Sequence, residues 1–347
     1  MNLFIFEIGI QIYATLLLFV GLPLNIISVV VVAYDYTTRL TTKLLMIILS
    51  ITDSLVIVIA VSRYWIFVIF KTDIRIYNNL ICMIHSFLVG IVTDLAVGSL
   101  CFLAVERFIV VVFPQKSNQL IKVNRILFGI IIFLGVTSFK NSANFVFLTT
   151  IHGKNSTNLT VNRKCGPSSQ YIQEFAIFKK IDFVSFAVIP YVILFSTNIY
   201  IYVVLRRQHI LLSKHKSSST LLNDKKRRKR RPQNVMKILT GLTIIHVITT
   251  LPGAIFTMLK NFFPFAINSK NEDPSLNRIL TSSLVLLLFT NNALNFFVYY
   301  ISSTVFRRNV VLLFIGKINK VNNRQYHSTG GNPTKMVNIN KQVDEEI

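Results

Sequence analysis

Acidic residues are scarce in this chain of 347 residues: 14 Asp and Glu stand against 37 Lys and Arg, and cysteine (three), tryptophan (one) and histidine (six) are also few. Three cysteines cannot build the dense disulfide scaffold of a small secreted domain. Ser, His and acidic residues are scattered among loops and apolar stretches and form no catalytic constellation, so no enzyme activity, cofactor or resident metal is expected. No segment repeats, which removes the inverted-repeat signature of many transporters. Residues 1 to 8 lack a basic stretch ahead of the first apolar run. A cleavable signal peptide is therefore not expected, and that run serves as its own anchor.

Charged residues make up 15% of the chain and apolar residues 52%, with a mean hydropathy of +0.56. That balance excludes a soluble domain of this length and points to a polytopic membrane protein. Seven apolar segments, at about 8 to 33, 44 to 70, 80 to 112, 124 to 150, 176 to 205, 235 to 259 and 279 to 303, are each long enough to cross a bilayer as a helix. The fold class expected is an all-α membrane protein, a bundle of seven transmembrane helices.

A net charge of +23 raises the question of nucleic acid, which its distribution answers. With Arg63 and Lys140 set aside as intramembrane, about 25 Lys/Arg fall on the side holding 34 to 43, 107 to 125, 206 to 237 and 304 to 347, against about 10 opposite. This places the N-terminus outside and the C-terminus in the cytoplasm. The sequons at Asn155 and Asn158 both fall in a loop that this topology puts outside, where they are candidate glycosylation sites. The run Lys225 to Arg231 precedes the sixth segment and is read as a positive-inside signal that also touches anionic lipid.

The third segment runs from Cys82 to Arg107, 25 helical steps or roughly 37 Å, so its ends reach opposite faces of a hydrocarbon core of about 30 Å. Cys82 and Cys165 share the outer side, where a bridge would tie the loop at 151 to 175 to the top of the third helix; Cys101 lies mid-helix. After the seventh segment, Phe306, Val310, Leu313 and Phe314 fall on one face beside Arg307 and Arg308, predicting a short amphipathic cytoplasmic helix over 304 to 315. The receptor domain is thus read as 1 to 316, and the polar, Asn-rich 317 to 347 as a disordered cytoplasmic tail.

Together these features resemble the rhodopsin-like (class A) G-protein-coupled receptors, most like invertebrate neuropeptide receptors of the FMRFamide type. The resemblance covers roughly 10 to 316 and rests on joint order and spacing: Asn25 in GLPLN, Asp53 in LSITD, Glu106-Arg107-Phe108 in place of Asp-Arg-Tyr, Pro190, Pro252, and Asn295-Phe296-Phe297-Val298-Tyr299 in place of Asn-Pro-x-x-Tyr. Several family elements are missing. The helix-seven proline is gone, Thr249-Thr250-Leu251-Pro252 carries no tryptophan, Asn198 stands at the helix-five tyrosine, and the single tryptophan is Trp65 rather than one in helix four.

The resemblance implies a plasma-membrane receptor coupled to a heterotrimeric G protein, with Glu106, Arg107, Phe108, Pro252, Asn295 and Tyr299 in coupling and activation. It also implies a polar core cluster of Asn25, Asp53, Asn291 and Asn295. The family often holds sodium there, but Ala96 replaces the usual serine, so sodium is not expected. Val89 stands where amine receptors carry Asp, and no lysine neighbours Phe289, so amines and retinal are excluded as ligands. The expected ligand pocket comprises Arg63, Tyr64, Trp65, His85, Val89, Asp94, Lys140 and Asp182, with Lys179 near its rim. Its mixed charges suit a neuropeptide with a charged or amidated end. Asp94 is expected to pair with Lys140, leaving Arg63 and Asp182 free for ligand. The alternatives are a chemosensory receptor for a small molecule and, from another class, a transporter or channel, which would need a continuous polar path that is not visible.

Overall fold

A computed structural model of the protein describes residues 2–35, 37–153, 162–214, 222–262 and 274–315. Asn155, Asn158 and the tail from 317 lie outside the described residues. Among the described residues seven helices are long and apolar enough to cross a membrane. They are α1 (Asn2–Ala33), α2 (Leu40–Phe70), α3 (Asn79–Val112), α4 (Val123–Phe147), α5 (Ser169–Arg207 as the span, continuing to Lys214), α6 (Leu222–Phe262) and α7 (Pro274–Ser302). An eighth, α8 (Thr304–Phe314), starts at Ser303, whose hydroxyl accepts the Phe306 N–H at 3.1 Å as an N-cap.

The helices close into a ring in which α1 meets α2 and α7, α6 lies between α5 and α7, and α3 runs through the middle against α2, α4 and α5. Large apolar side chains such as Phe139, Ile131 and Ile301 point away from the bundle, exposed where lipid would cover them. Inside, two apolar clusters are stacked. One holds Leu45, Leu103, Leu194, Leu242 and Tyr299, and the other holds Val56, Val61, Val92, Leu286 and Phe289. Between them lies a polar layer at Asp53, so the core is not one continuous apolar mass.

Two helices contain a wide π turn. In α5 it spans Val184–Val188 and directly precedes Pro190, which has no N–H to continue the α-helical ladder. In α2 it spans Ile57–Val61, where the residues include no proline or glycine to announce it. A wide turn adds one residue to the helix and rotates the residues beyond it by about 100° relative to an unbroken α-helix. His85 of α3 donates from Nε2 to the Ile59 carbonyl inside that turn, at 3.1 Å.

Three boundaries differ from the sequence expectation. The fourth span ends at Phe147, because Leu148–Gly153 (β1) pairs antiparallel with Asn162–Pro167 (β2), Thr150 opposite Cys165. α5 begins several residues before 176, and α6 takes in the basic run from Lys225 to Arg231 as helix where loop was expected.

Candidate functional site

Cys82, at the start of α3, is disulfide-bonded to Cys165 of β2, with Cα atoms 5.7 Å apart. The hairpin is thereby pinned over one end of the bundle, the disulfide end. Beneath it is a cavity of about 660 Å3 reached by α2, α3, α5 and α7, whose walls include Arg63, Arg75, Asp94, Lys179 and Asp182 together with Phe175 and Phe289. Tyr64, His85 and Val89 also face it.

The deep wall is a chain of charges. Lys140 Nζ lies 2.8 Å from an Asp94 oxygen and 2.7 Å from Asp182, and donates to Ser185 at 3.1 Å. Lys140 also reaches the other Asp94 oxygen, Oδ1, at 3.0 Å, and Asn141 Nδ2 donates to Asp94 Oδ2 at 2.7 Å. Local sequence makes this possible: Gly90, Asp94 and Gly98 recur every four residues on the α3 face toward α4. A Cβ at Gly90 would stand 2.0 Å from Asn141 Oδ1, and one at Gly98 would stand 2.2 Å from the Phe133 ring. Glycine at both positions lets α4 approach closely enough for Lys140 and Asn141 to reach the acid.

The expected Asp94–Lys140 pair is present, but the expectation that Arg63 and Asp182 stand free is corrected. Asp182 is shared between Lys140 and Lys179, the latter at 3.4 Å. Arg63 is paired with Asp73, just past α2, and Arg75 reaches the same carboxylate at 2.8 Å. Burial would raise the Asp73 carboxyl, yet hydrogen bonds and charge from Arg75 and Arg63 together hold it well below the usual carboxylate range. Two expected pocket residues lie elsewhere. Trp65 turns to α1, where its Nε1 donates to Thr15 at 2.9 Å and its ring packs edge-on to Phe19, because the wide turn in α2 sets its direction. Lys140 sits behind Asp94 and Asp182 rather than on the open wall.

The polar layer is built from α1, α2 and α7. Asp53 accepts from Asn292 at 2.7 Å and Asn295 at 2.6 Å, while Asn25 donates to the Asn292 carbonyl at 2.8 Å. Asn291 is corrected out of the Asp53 contact: it is buried, and its amide oxygen has no hydrogen-bond partner among the described residues. Helix phase explains the exchange, since Asn291 and Asn292 flank Asn295 at about 40° and 60° on opposite sides. Both Asp53 oxygens thus accept amide N–H donors, and Ala96 adds no oxygen; this donor set does not fit a sodium ion.

At the opposite end, Glu106 Oε1 accepts from Thr41 and Thr42 of α2, both at 2.9 Å, and Glu106 Oε2 lies 3.4 Å from Arg107 Nε. Arg107 is largely buried and lines a small cavity together with Met46, Leu103 and two residues of α6, Ile238 and Leu239. Phe108 packs edge-on to Tyr200 of α5. Thr41 and Thr42 were not singled out by sequence, because a hydroxyl donor to a buried acid has no spacing signature. Asn198 donates to Thr243 of α6 at 2.8 Å, joining α5 to α6 where the family places a tyrosine. Tyr299 is buried and packs on Phe306 of α8.

A ring of seven membrane-crossing helices, with a disulfide-pinned cavity at one end and a buried Glu-Arg pair at the other, defines a multi-pass protein of the seven-helix receptor class. The chain belongs to the 7 transmembrane receptor (rhodopsin family), whose family model matches residues 24–299. Members of that family are receptors and not enzymes. Among curated proteins none matches the chain.

Proposed function

We propose that this protein is a plasma-membrane receptor that binds an extracellular peptide, a neuropeptide with a charged or amidated end, and activates a heterotrimeric G protein. The observation that carries the reading is the cavity under the pinned hairpin, about 660 Å3 and lined by both signs of charge and by aromatic rings, within the usual size of ligand sites. The excess of Lys and Arg on the Arg107 side supports an external N-terminus and a cytoplasmic C-terminus, with the sequons at Asn155 and Asn158 outside. In that orientation α8 runs along the inner membrane surface, and Lys225 to Arg231 meet anionic lipid. The receptor domain is 1 to 316, with 317 to 347 as its cytoplasmic tail. The sequence resemblance to FMRFamide-type receptors favours a peptide over a chemosensory ligand.

In the resting arrangement Ile238 and Leu239 of α6 line one small cavity with Arg107, and Glu106 holds its guanidinium from the side. Ligand binding shifts the population toward a state in which α6, hinging near Pro252, moves away and leaves Arg107 to face the G protein. Asn295 and Tyr299, next to Asp53 and α8, carry the change along α7. Expression with a promiscuous G protein and a peptide library, read by calcium release, tests the reading. A peptide response that Arg107→Ala abolishes at unchanged surface level supports it, and a response indifferent to Arg107→Ala overturns the coupling mechanism.

A further inference from the structure

Among the described residues, the three carboxylates of this wall are each already paired with cations of the protein itself. Asp94 takes Lys140 and Asn141, Asp182 takes Lys140 and Lys179, and Asp73 takes both Arg63 and Arg75. Among the described residues these ion pairs hold four cations (Arg63, Arg75, Lys140, Lys179) against three acids, an excess of one positive charge, with His85 donating to a backbone carbonyl. The hairpin above adds Arg163 and Lys164, both exposed, and no acid among its described residues.

The cations, in contrast, have donors to spare. Arg63 and Arg75 bond Asp73 through Nε and Nη2, and neither Nη1 donates to an acceptor among the described residues. Lys179 is the loosest member, with its side chain 40% exposed, a single 3.4 Å contact to Asp182, and its ammonium over the faces of Phe175 and Phe178. A cationic ligand would have to expel one of these partners and leave Lys140 or an arginine unpaired in a partly buried wall, a costly exchange. An anion meets unused N–H donors and neutralises the excess charge, and a carboxylate matches the planar guanidinium fork.

We propose that the anchoring group of the ligand is an anion, a free carboxylate, received by Lys179 with Arg63 and Arg75. This rests on the receptor reading above and narrows it: the end of the ligand held in the cavity is an acid rather than an amide or amine. Both the C-terminus of a peptide and a small organic acid supply this chemistry. Lys179 and Asp182 also line a second cavity of about 200 Å3 that reaches Tyr191, His246 and Thr250. A carboxylate that draws Lys179 from Asp182 therefore loosens the partition between the two cavities and reaches α6 beside Pro252.

The test uses the full-length receptor in nanodiscs and reads ligand-induced thermal stabilisation. The probes are tripeptide pools with free C-terminal carboxylates, the same pools amidated, and a panel of aromatic and aliphatic monocarboxylates with matched primary amides and amines. We expect acids to bind at least tenfold more tightly than their amides and amines, Lys179→Gln to reduce acid binding at least tenfold, and Lys179→Glu to abolish it. The exposure of Lys179 makes both variants tolerable to the fold, which their ligand-free melting temperatures report. Binding by peptide acids supports both readings; binding by small acids alone supports the anion and overturns the peptide. Amides or amines binding as tightly as acids, acid binding indifferent to Lys179, or no acid binding at all overturns the proposal. Calcium release, measured separately, reports on G-protein coupling whichever way the anion result falls.

Discussion

Lys140 is the keystone of the charged wall, and its removal should cost more than the removal of either acid. It holds Asp94 at 2.8 Å and Asp182 at 2.7 Å, and the Asp94 side chain is only 6% exposed. Lys140→Met retains most of the apolar stem but strands Asp94 with Asn141 as its one remaining donor, in the range of about 3–5 kcal/mol for breaking a buried pair. Asp94→Asn keeps the shape and leaves Lys140 on Asp182, so the loss is that of a hydrogen bond to a charged group, about 1.5–3 kcal/mol. The double variant Lys140→Met with Asp94→Asn removes the stranded charge and should recover at least about 1 kcal/mol relative to additivity. Asp182, with 29% side-chain exposure, can be hydrated and is not stranded in the same way. The assay is the apparent melting temperature of purified receptor at a fixed scan rate, where the two single variants should differ by roughly 3 °C or more. A Lys140→Met protein no less stable than Asp94→Asn, or a strictly additive double variant, would refute the keystone argument.

Replacing Thr41 and Thr42 together by Val deprives Glu106 of two donors at 2.9 Å and should raise basal G-protein turnover at least fivefold; unchanged turnover would free the latch from α2. Asn198→Ala removes the 2.8 Å bond to Thr243, worth about 1 kcal/mol, and should also raise basal turnover about fivefold, read by nucleotide exchange. Asp73 is held below its ordinary value of 3.8, so its stabilising contribution is full above that pH and fades as pH falls toward the depressed folded value. The melting-temperature gap between wild type and Asp73→Asn should therefore stay constant from pH 7 to about pH 5 and close only under stronger acid. A gap already closed at pH 6 would show that Asp73 is not clamped by Arg63 and Arg75.

The seven spans were legible because hydrocarbon thickness sets a minimum apolar length that few other structures need. The Asp94–Lys140 pair was legible for a related reason: a charge in mid-membrane demands a partner, and neighbouring helices offered one of each sign. What escaped were partners that carry no pattern. Asp73 sits in a connection ten residues after Arg63, and nothing in the sequence marks it as the residue that folds back. The wide turn at Ile57–Val61 has no proline, so the phase of α2 beyond it could not be read, and Trp65 was assigned to the cavity that Arg63 and Tyr64 line. Adjacent asparagines posed the same difficulty in α7, where Asn292 rather than Asn291 meets Asp53. The hairpin was hidden because β1 follows directly on the fourth span and its six residues merge with the apolar run.

The residues missing from α6 change how its two ends can be linked. Where the family carries a tryptophan, Thr250 has a hydroxyl 2.7 Å from that of Tyr191 on α5, and one turn below it the His246 ring packs edge-on to the same tyrosine. Further toward Arg107, Asn198 and Thr243 repeat the arrangement. An indole can slide against its neighbours with little change in contact energy, whereas directional bonds of this kind are either made or broken. On the proposed reading α6 is therefore held shut by discrete hydrogen bonds to α5 at two levels, each worth about 1 kcal/mol. Their sum is the order of free energy a ligand of ordinary affinity can supply differentially, so loss of the indole need not have cost the receptor its switch.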